Sequence, residues 1–164
     1  MRRYLLLSIA TFLFPTLGVQ AQDARSASDE RELRRIEMET GRMEQQDNPA
    51  IADYLSDDWV CVGLKALGKR EFLENVRTNA ATHRFSTSPS SGAPAQAYAI
   101  EKQDLQVRLF GDTAVVTYVK IYRQSLDALK FFHEDDTDVF TRDAGGWHLR
   151  FTKIMPVPVQ SASN

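Results

Sequence analysis

The chain is short of cysteine and histidine. Cys61 is the only cysteine among 164 residues, so no disulfide within the chain can form and a hydrophobic core has to stabilise the fold. Cys61 lies in the strand-like segment DWVCVG, where we expect a buried and inert thiol. The three histidines show no His-x-His or Glu-x-x-His spacing, and no calcium-loop pattern occurs. The sequence therefore predicts no metal site.

An excess of positive charge is also missing. The chain has 20 basic and 22 acidic residues, and no basic stripe stands out, which excludes nucleic acid as an expected partner. It has no Gly-x-Ser-x-Gly elbow, no glycine-rich phosphate loop and no dinucleotide fingerprint, so we expect no cofactor. A hydrophobic fraction of 43% over this length indicates one globular domain.

The N-terminus carries the one long apolar run. Arg2 and Arg3 precede apolar residues 4–14, and small residues then lead to Ala21. This order is typical of a secretory signal peptide cleaved after Ala21. The run is too short to span a bilayer comfortably, and Pro15 interrupts it. The sequence thus predicts export to the periplasm or the medium, with no stable membrane anchor after cleavage.

The remaining chain predicts an α+β fold. After the signal peptide (1–21) we expect a disordered leader (22–28), a single domain (29–158) and a disordered tail (159–164). Helical spacing predicts three N-terminal helices, at 28–46, from 49 to 55 and at 68–80. Alternation predicts strands at 57–63, 98–110, 113–123, 130–142 and 147–156, with a long loop at 86–97. The helices should pack on one face of a strongly curved antiparallel sheet.

The last two strands place four acids inside a hairpin. A loop at 143–146 pairs Arg142 with Trp147 and, counting outward, Asp138 with Phe151 and Asp136 with Lys153. Because side chains alternate, Glu134, Asp136, Asp138 and Phe140 should face the helices together with Trp147, Leu149, Phe151 and Lys153. His133 and Asp135 should lie on the outer face.

The inward acids have two interpretations. A desolvated Asp138 beside aromatic residues would be a ligand contact, or an acid or base. Alternatively, Asp136 and Lys153 form a structural cross-strand pair and Asp138 accepts structural hydrogen bonds. The pattern leaves open whether Tyr118 and Tyr122 face inward. The candidate pocket residues are Tyr54, Trp59, Tyr118, Tyr122, Asp136, Asp138, Phe151 and Lys153.

Four segments carry a resemblance to a known family. LSDDWVCVG, GKREFLENV, DTAVVTYVKIYR and especially TDVFTRDAGGWHLRFTKI resemble the nuclear-transport-factor-2-like (NTF2-like) superfamily, with its SnoaL-like and ketosteroid-isomerase-like members, and within it the family DUF4440. The resemblance implies a cone-shaped sheet around a long helix, a pocket at the open end, and homodimers through the outer sheet face. The superfamily includes isomerases, cyclases, dehydratases and a kinase association domain, so the fold alone does not decide the function.

The ketosteroid isomerases of this superfamily use an aspartate base on the strand after the second helix. The later positions of the matching strand here hold Val60, Cys61 and Val62, with no carboxylate, so those roles are not carried over. Three hypotheses follow. The chain binds a small apolar molecule, it is an interaction module using the outer sheet face, or it is an isomerase, cyclase or hydratase with Asp138 as acid or base.

Overall fold

The computed structural model describes residues 17–82, 99–123 and 132–157. It has two α-helices, α1 (Leu17–Gln45) and α2 (Lys69–Thr82), and a 3-10 helix at Pro49–Tyr54. The strands are β1 (Leu55–Val62), β2 (Ala66–Gly68), β3 (Ala99–Phe110), β4 (Thr113–Arg123), β5 (Phe132–Asp143) and β6 (Gly146–Val157). The predicted loop at 86–97, the tail at 159–164 and residues 1–16 of the predicted signal peptide lie outside the described residues.

The six strands form one curved mixed sheet in the order β2-β1-β6-β5-β4-β3. This confirms the α+β cone, with two corrections. β1 pairs with β6 in parallel, because no hairpin joins these two strands and turn geometry does not set their direction. The second predicted helix is a six-residue 3-10 helix, which begins at Pro49 under an Asn48 cap and ends where β1 starts.

Helix α1 begins earlier than predicted. Residues 22–28, expected to be a disordered leader, belong to α1, because alanine, glutamine and arginine in this segment favour helix despite its polarity. Arg25 also donates a hydrogen bond of 2.9 Å to Asp112, in the turn between β3 and β4. The signal-peptide prediction itself is not decided by this helix.

The buried side of α1 follows helical spacing but is not purely apolar. Leu33, Ile36 and Met43 are buried there, and so are Glu37 and Thr40. The apolar members pack against the inner face of the sheet, where Val116, Phe140, Trp147 and Leu149 complete the core. Helix α1 is therefore the element that covers the inner face and places an acid within it.

A β-bulge in β6 changes the predicted register. Arg142 pairs with Trp147 and Phe140 with Leu149, as expected, but Val139 pairs with Phe151, so that Arg150 is an extra residue. From this point the inward positions of β6 are Thr152 and Ile154, opposite Asp138 and Asp136. The predicted pairs Asp138–Phe151 and Asp136–Lys153 are therefore wrong.

Strand β5 keeps the predicted orientation. Glu134, Asp136, Asp138 and Phe140 are all buried on the inner face, whereas Asp135 is exposed. In β4 the inward set is Val116, Tyr118, Lys120 and Tyr122, which settles the orientation that the sequence pattern left open. The middle of the sheet thus presents acids, tyrosines and a lysine toward α1.

Two leucines give a matched test of this core. Leu33 is 0% exposed, whereas Leu64, at the tip between β1 and β2, is 97% exposed. Leu33→Ala should lower the free energy of unfolding by about 2–5 kcal/mol because it leaves a cavity between α1 and the sheet. Leu64→Ala should change it by less than about 0.5 kcal/mol. Urea denaturation of both variants tests this, and equal effects would contradict the packing of α1.

Candidate functional site

A cavity of about 190 Å³ lies between the inner face of the sheet, α1 and α2. One part of its wall is apolar and includes Leu55, Trp59, Phe72, Leu149 and Ile154. The other part is polar and consists of Thr40, Glu44, Lys102, Tyr118, Lys120 and Asp138, with Thr152 at the boundary. The cavity is therefore an apolar chamber that ends in a layer of buried charges.

The apolar part of the chamber is held in shape by aromatic contacts. The rings of Trp59 and Phe72 lie 5.1 Å apart between centroids, tilted by 59°. Trp59 Nε1 donates a hydrogen bond of 3.2 Å to Thr152 Oγ1. The β6 bulge is what turns Thr152 inward to accept this bond, so the bulge fixes the position of Trp59 in the wall.

Lys102 of β3 joins the sheet to α1. Its Nζ lies 2.5 Å from Glu37 Oε2 and 3.4 Å from Thr40 Oγ1, and 4.3 Å above the ring of Tyr118. A Cβ on Gly41 would lie only 3.2 Å from Lys102 Cε. The glycine in the middle of α1 therefore leaves room for the lysine side chain to pass along the helix.

Glu37 and Asp138 form a pair of buried carboxyl groups. Asp138 Oδ2 accepts a hydrogen bond of 2.8 Å from the hydroxyl of Tyr118. Asp138 Oδ1 and Glu37 Oε1 have no hydrogen-bond partner among the described residues, and Asp138 is close enough to Glu37 to raise its pKa. Two ionised carboxylates only accept hydrogen bonds and repel each other, so a proton on one of them relieves both.

The electrostatic surroundings place that proton on Glu37. Burial raises the pKa of Glu37 to about 8; Lys102 counteracts this shift, and the charge of Asp138 adds to it. At neutral pH Glu37 therefore carries a proton. Asp138 is the member of the pair that lines the cavity.

A second cluster surrounds Lys120, the cross-strand neighbour of Lys102. Lys120 Nζ lies 3.2 Å from Glu44 Oε1 and 3.4 Å from both Glu134 and Asp136. Burial lowers the pKa of Lys120, but the surrounding acids outweigh this and hold it well above its usual range. For the carboxyl group of Asp136 burial has the opposite effect: it raises the pKa to about 7, although the charge of Lys120 counteracts the shift.

The structure distributes the predicted pocket residues over three places. Trp59, Tyr118 and Asp138 line the cavity. Tyr122 and Asp136 lie in the Lys120 cluster, where the Tyr122 hydroxyl donates a bond of 2.7 Å to Glu134. Tyr54 packs at the edge of the core.

Phe151 and Lys153 do not face the cavity. The bulge places them on the outer side, Lys153 exposed and Phe151 half-buried, and Thr152 and Ile154 occupy the wall instead.

Several site residues were missed by sequence reasoning. These are Glu37, Thr40, Glu44, Lys102 and Lys120. One signal was available: Glu37 and Glu44 lie seven residues apart on the same side of α1 as the buried Ile36 and Met43. An acid on an apolar helix face requires a buried cation, and the lysines of β3 and β4 supply it.

Cys61, predicted to be buried and inert, is 6% exposed and lines the cavity. Burial raises the pKa of its thiol to about 11, which leaves it protonated at neutral pH and a poor nucleophile. No group of three or more His, Cys, Asp or Glu side chains within the described residues is arranged to hold a metal ion. None of the described helices has the length and apolar character needed to cross a bilayer.

A wider groove on the surface, of about 610 Å³, runs along α1 beside β3. Its lining includes the exposed Arg35 and Arg42 and also the buried Glu37 and Lys102. Arg35 and Arg42 both form ion pairs with Glu39 within the helix, and water screens these surface charges. The inner cavity differs from this groove in its aromatic wall.

Comparison with solved structures identifies the architecture. An NTF2-like protein with a cystatin-like fold from Novosphingobium aromaticivorans is 17% identical and has a TM-score of 0.72, over 91% of this chain and 94% of that one. An NTF2-like protein of unknown function from Pseudomonas putida is 16% identical, with a TM-score of 0.63 over 85% and 93%. The fold of the chain is NTF2-like.

The association domain of C. elegans CaMKII is also similar to this NTF2-like chain, at 14% identity and a TM-score of 0.60 over 79% of this chain and 96% of that one. No protein-family model matches the chain, and no curated protein matches its sequence. The finer resemblance to DUF4440 therefore stays a prediction. At these identities the likeness concerns the fold and carries no activity over.

The raised pKa of Glu37 predicts how stability depends on pH. An unfolded glutamate titrates near 4.3, so the native state binds more protons between that pH and about 8. The free energy of unfolding should therefore fall as pH rises from about 5 to about 8. In Glu37→Gln this fall should be smaller, with a remainder that comes from Asp136.

Urea denaturation at pH 5, 6, 7 and 8 measures this difference. Glu30→Gln is the matched control, since Glu30 lies on α1 with its side chain 45% exposed and pairs with Arg34. Its curve should run parallel to that of the wild type. A Glu37→Gln curve that is also parallel would show that Glu37 carries no excess proton in the native state.

Proposed function

We propose that the protein binds a small, largely apolar molecule in the inner cavity. The observation that carries this proposal is the position of Asp138. Its side chain is 2% exposed and borders a cavity whose opposite wall is formed by Trp59, Phe72 and aliphatic residues. Ligand sites typically combine an apolar lining with a few buried polar groups that orient the ligand.

The size of the cavity limits the ligand. A dry apolar cavity of about 150 Å³ already accommodates benzene, and the cavity here is about 190 Å³. One ring with a short substituent therefore fits, and a fused multi-ring molecule does not fit without movement of the wall. The ring would lie against Trp59 and Phe72, with its substituent toward Tyr118 and Asp138.

The location and assembly of the protein belong to the same proposal. The N-terminal sequence supports export, so that the ligand would be met outside the cytoplasm. We also propose that two copies associate through the outer sheet face, where Val60, Val62 and Met155 are exposed. The similarity to a CaMKII association domain supports an assembly role for this fold as a second function.

An enzymatic role as an isomerase, cyclase or hydratase would use the same cavity. Its support is the buried Asp138 at the cavity wall, beside Glu37, whose pKa burial raises to about 8, because such a carboxyl group can both give and take a proton near neutral pH. Binding is the simpler proposal, since it requires only the cavity and its polar end. Catalysis would add a reacting group on a ligand that has first to bind.

Leu67→Trp should abolish binding. Leu67 is half-buried and lines the cavity, so an indole at this position should fill the space that a ligand needs. Saturation-transfer NMR with toluene and with benzyl alcohol as probes should show binding to the wild type and none to this variant.

Leu64→Trp is the matched control, because the same substitution three residues earlier lies in solvent. It should bind both probes as the wild type does. Undiminished binding to Leu67→Trp would place the ligand elsewhere, and no binding of either probe to the wild type would contradict the proposed function.

A further inference from the structure

The charges around the cavity do not balance. Among the described residues, five carboxyl groups (Glu37, Glu44, Glu134, Asp136 and Asp138) surround the two ammonium groups of Lys102 and Lys120. Like charges this close in a desolvated site repel strongly unless protons or cations intervene. The site therefore attracts positive charge and disfavours a ligand with a carboxylate.

The excess acid is Asp138. Lys102 is paired with Glu37, and Lys120 with Glu44, Glu134 and Asp136. Asp138 forms no ion pair with any described residue, and the Tyr118 hydroxyl donates to its Oδ2. It is also the acid of the pair that reaches the cavity wall, and its Oδ1 is buried without a hydrogen-bond partner among the described residues.

We propose that the cavity takes a small aromatic or alicyclic amine, whose ammonium group binds Asp138 and displaces the proton of Glu37. This inference rests on the proposed function and names its ligand class. The ammonium N–H donates to Asp138 Oδ1, and the displaced proton passes to solvent. Glu37 then becomes a carboxylate that remains paired with Lys102, 2.5 Å away.

The exchange leaves each charge with a partner. In the free protein Glu37 is neutral, and Asp138 forms no ion pair with Lys102. With the amine bound, Lys102 pairs with Glu37 and the ligand pairs with Asp138. The electron-rich faces of Trp59 and Phe72 in the same wall also attract a cation or the ring that carries it. A neutral ligand forms no ion pair with Asp138.

The ionisable neighbours of the pair come from five elements. Lys102 lies on β3, Tyr118 and Lys120 on β4, Asp136 on β5 and Cys61 on β1, and Glu44 lies one helical repeat away on α1. Glu37 itself and its neighbour Asp136 have a pKa near neutrality. Amine affinity should therefore rise between pH 6 and pH 8, where an alkylammonium is still charged.

Three probes of similar size test whether the cavity prefers a cationic, a neutral or an anionic ligand: benzylamine, benzyl alcohol and benzoate. Calorimetry at pH 7 should show benzylamine binding at least about tenfold more tightly than benzyl alcohol, with benzoate not binding. Titrations in phosphate and in Tris, which differ in heat of protonation, should show release of up to one proton per benzylamine. Benzyl alcohol should release none.

Three variants test whether Asp138 and Glu37 cause the preference for benzylamine. Asp138→Asn should bind benzylamine no more tightly than benzyl alcohol, whereas Asp135→Asn, an exposed position on the same strand, should keep the preference. Glu37→Gln does not alter the Asp138 carboxylate, so this variant should still bind benzylamine more tightly than benzyl alcohol. Because residue 37 then has no proton to lose, benzylamine binding should no longer release a proton from this position. Glu37→Gln also tests the exchange if Asp138→Asn fails to fold.

The outcomes distinguish a failure of the proposed binding cavity from a failure of the proposed amine ligand. If benzyl alcohol and toluene bind and benzylamine binds no better, the cavity remains a binding site and the amine class is wrong. If benzylamine preference survives in Asp138→Asn, or binding takes up protons, the exchange at Asp138 is wrong. If none of the probes binds to the wild type, both proposals fail.

Discussion

The bond between Lys102 and Glu37 is the interaction on which the interior of this fold depends. It connects β3 to the covering helix α1 at a point where both side chains are almost completely buried. A buried acid on an apolar helix face is costly unless a cation and further hydrogen bonds compensate it. Here the same carboxyl group also meets Asp138, so one helix residue links the sheet, the charge cluster and the cavity.

Much of this architecture follows from sequence pattern. Alternation in β5 predicts that Asp136 and Asp138 face inward, and the hairpin turn predicts the pairing of Arg142 with Trp147. What the pattern does not predict is the extra residue at Arg150, because the bulge has no signal of its own in the local composition. The bulge exchanges Phe151 for Thr152 in the wall, where a hydroxyl is needed to accept from Trp59.

The other unpredicted features are long-range. Lys102 and Glu37 are 65 positions apart in the chain, and only the wrapping of the sheet around α1 brings them together. The parallel pairing of β1 with β6 also depends on long-range packing, because no turn joins the two strands. Local rules therefore identify the elements and the faces of the hairpin, whereas the partners of each buried charge depend on tertiary packing. The NTF2-like fold supplies the enclosure, and the residues that this chain places inside it determine the chemistry.

The protonation state of Glu37 tests this description most directly. Carboxyl-carbon NMR of the folded protein, with the signal assigned by its loss in Glu37→Gln, follows the titration of this group. A midpoint near pH 8 is expected, because burial and the charge of Asp138 together outweigh the influence of Lys102. A midpoint near the value of about 4.3 of a solvated glutamate would mean that Glu37 carries no proton at neutral pH, and it would contradict the proton release expected when an amine binds.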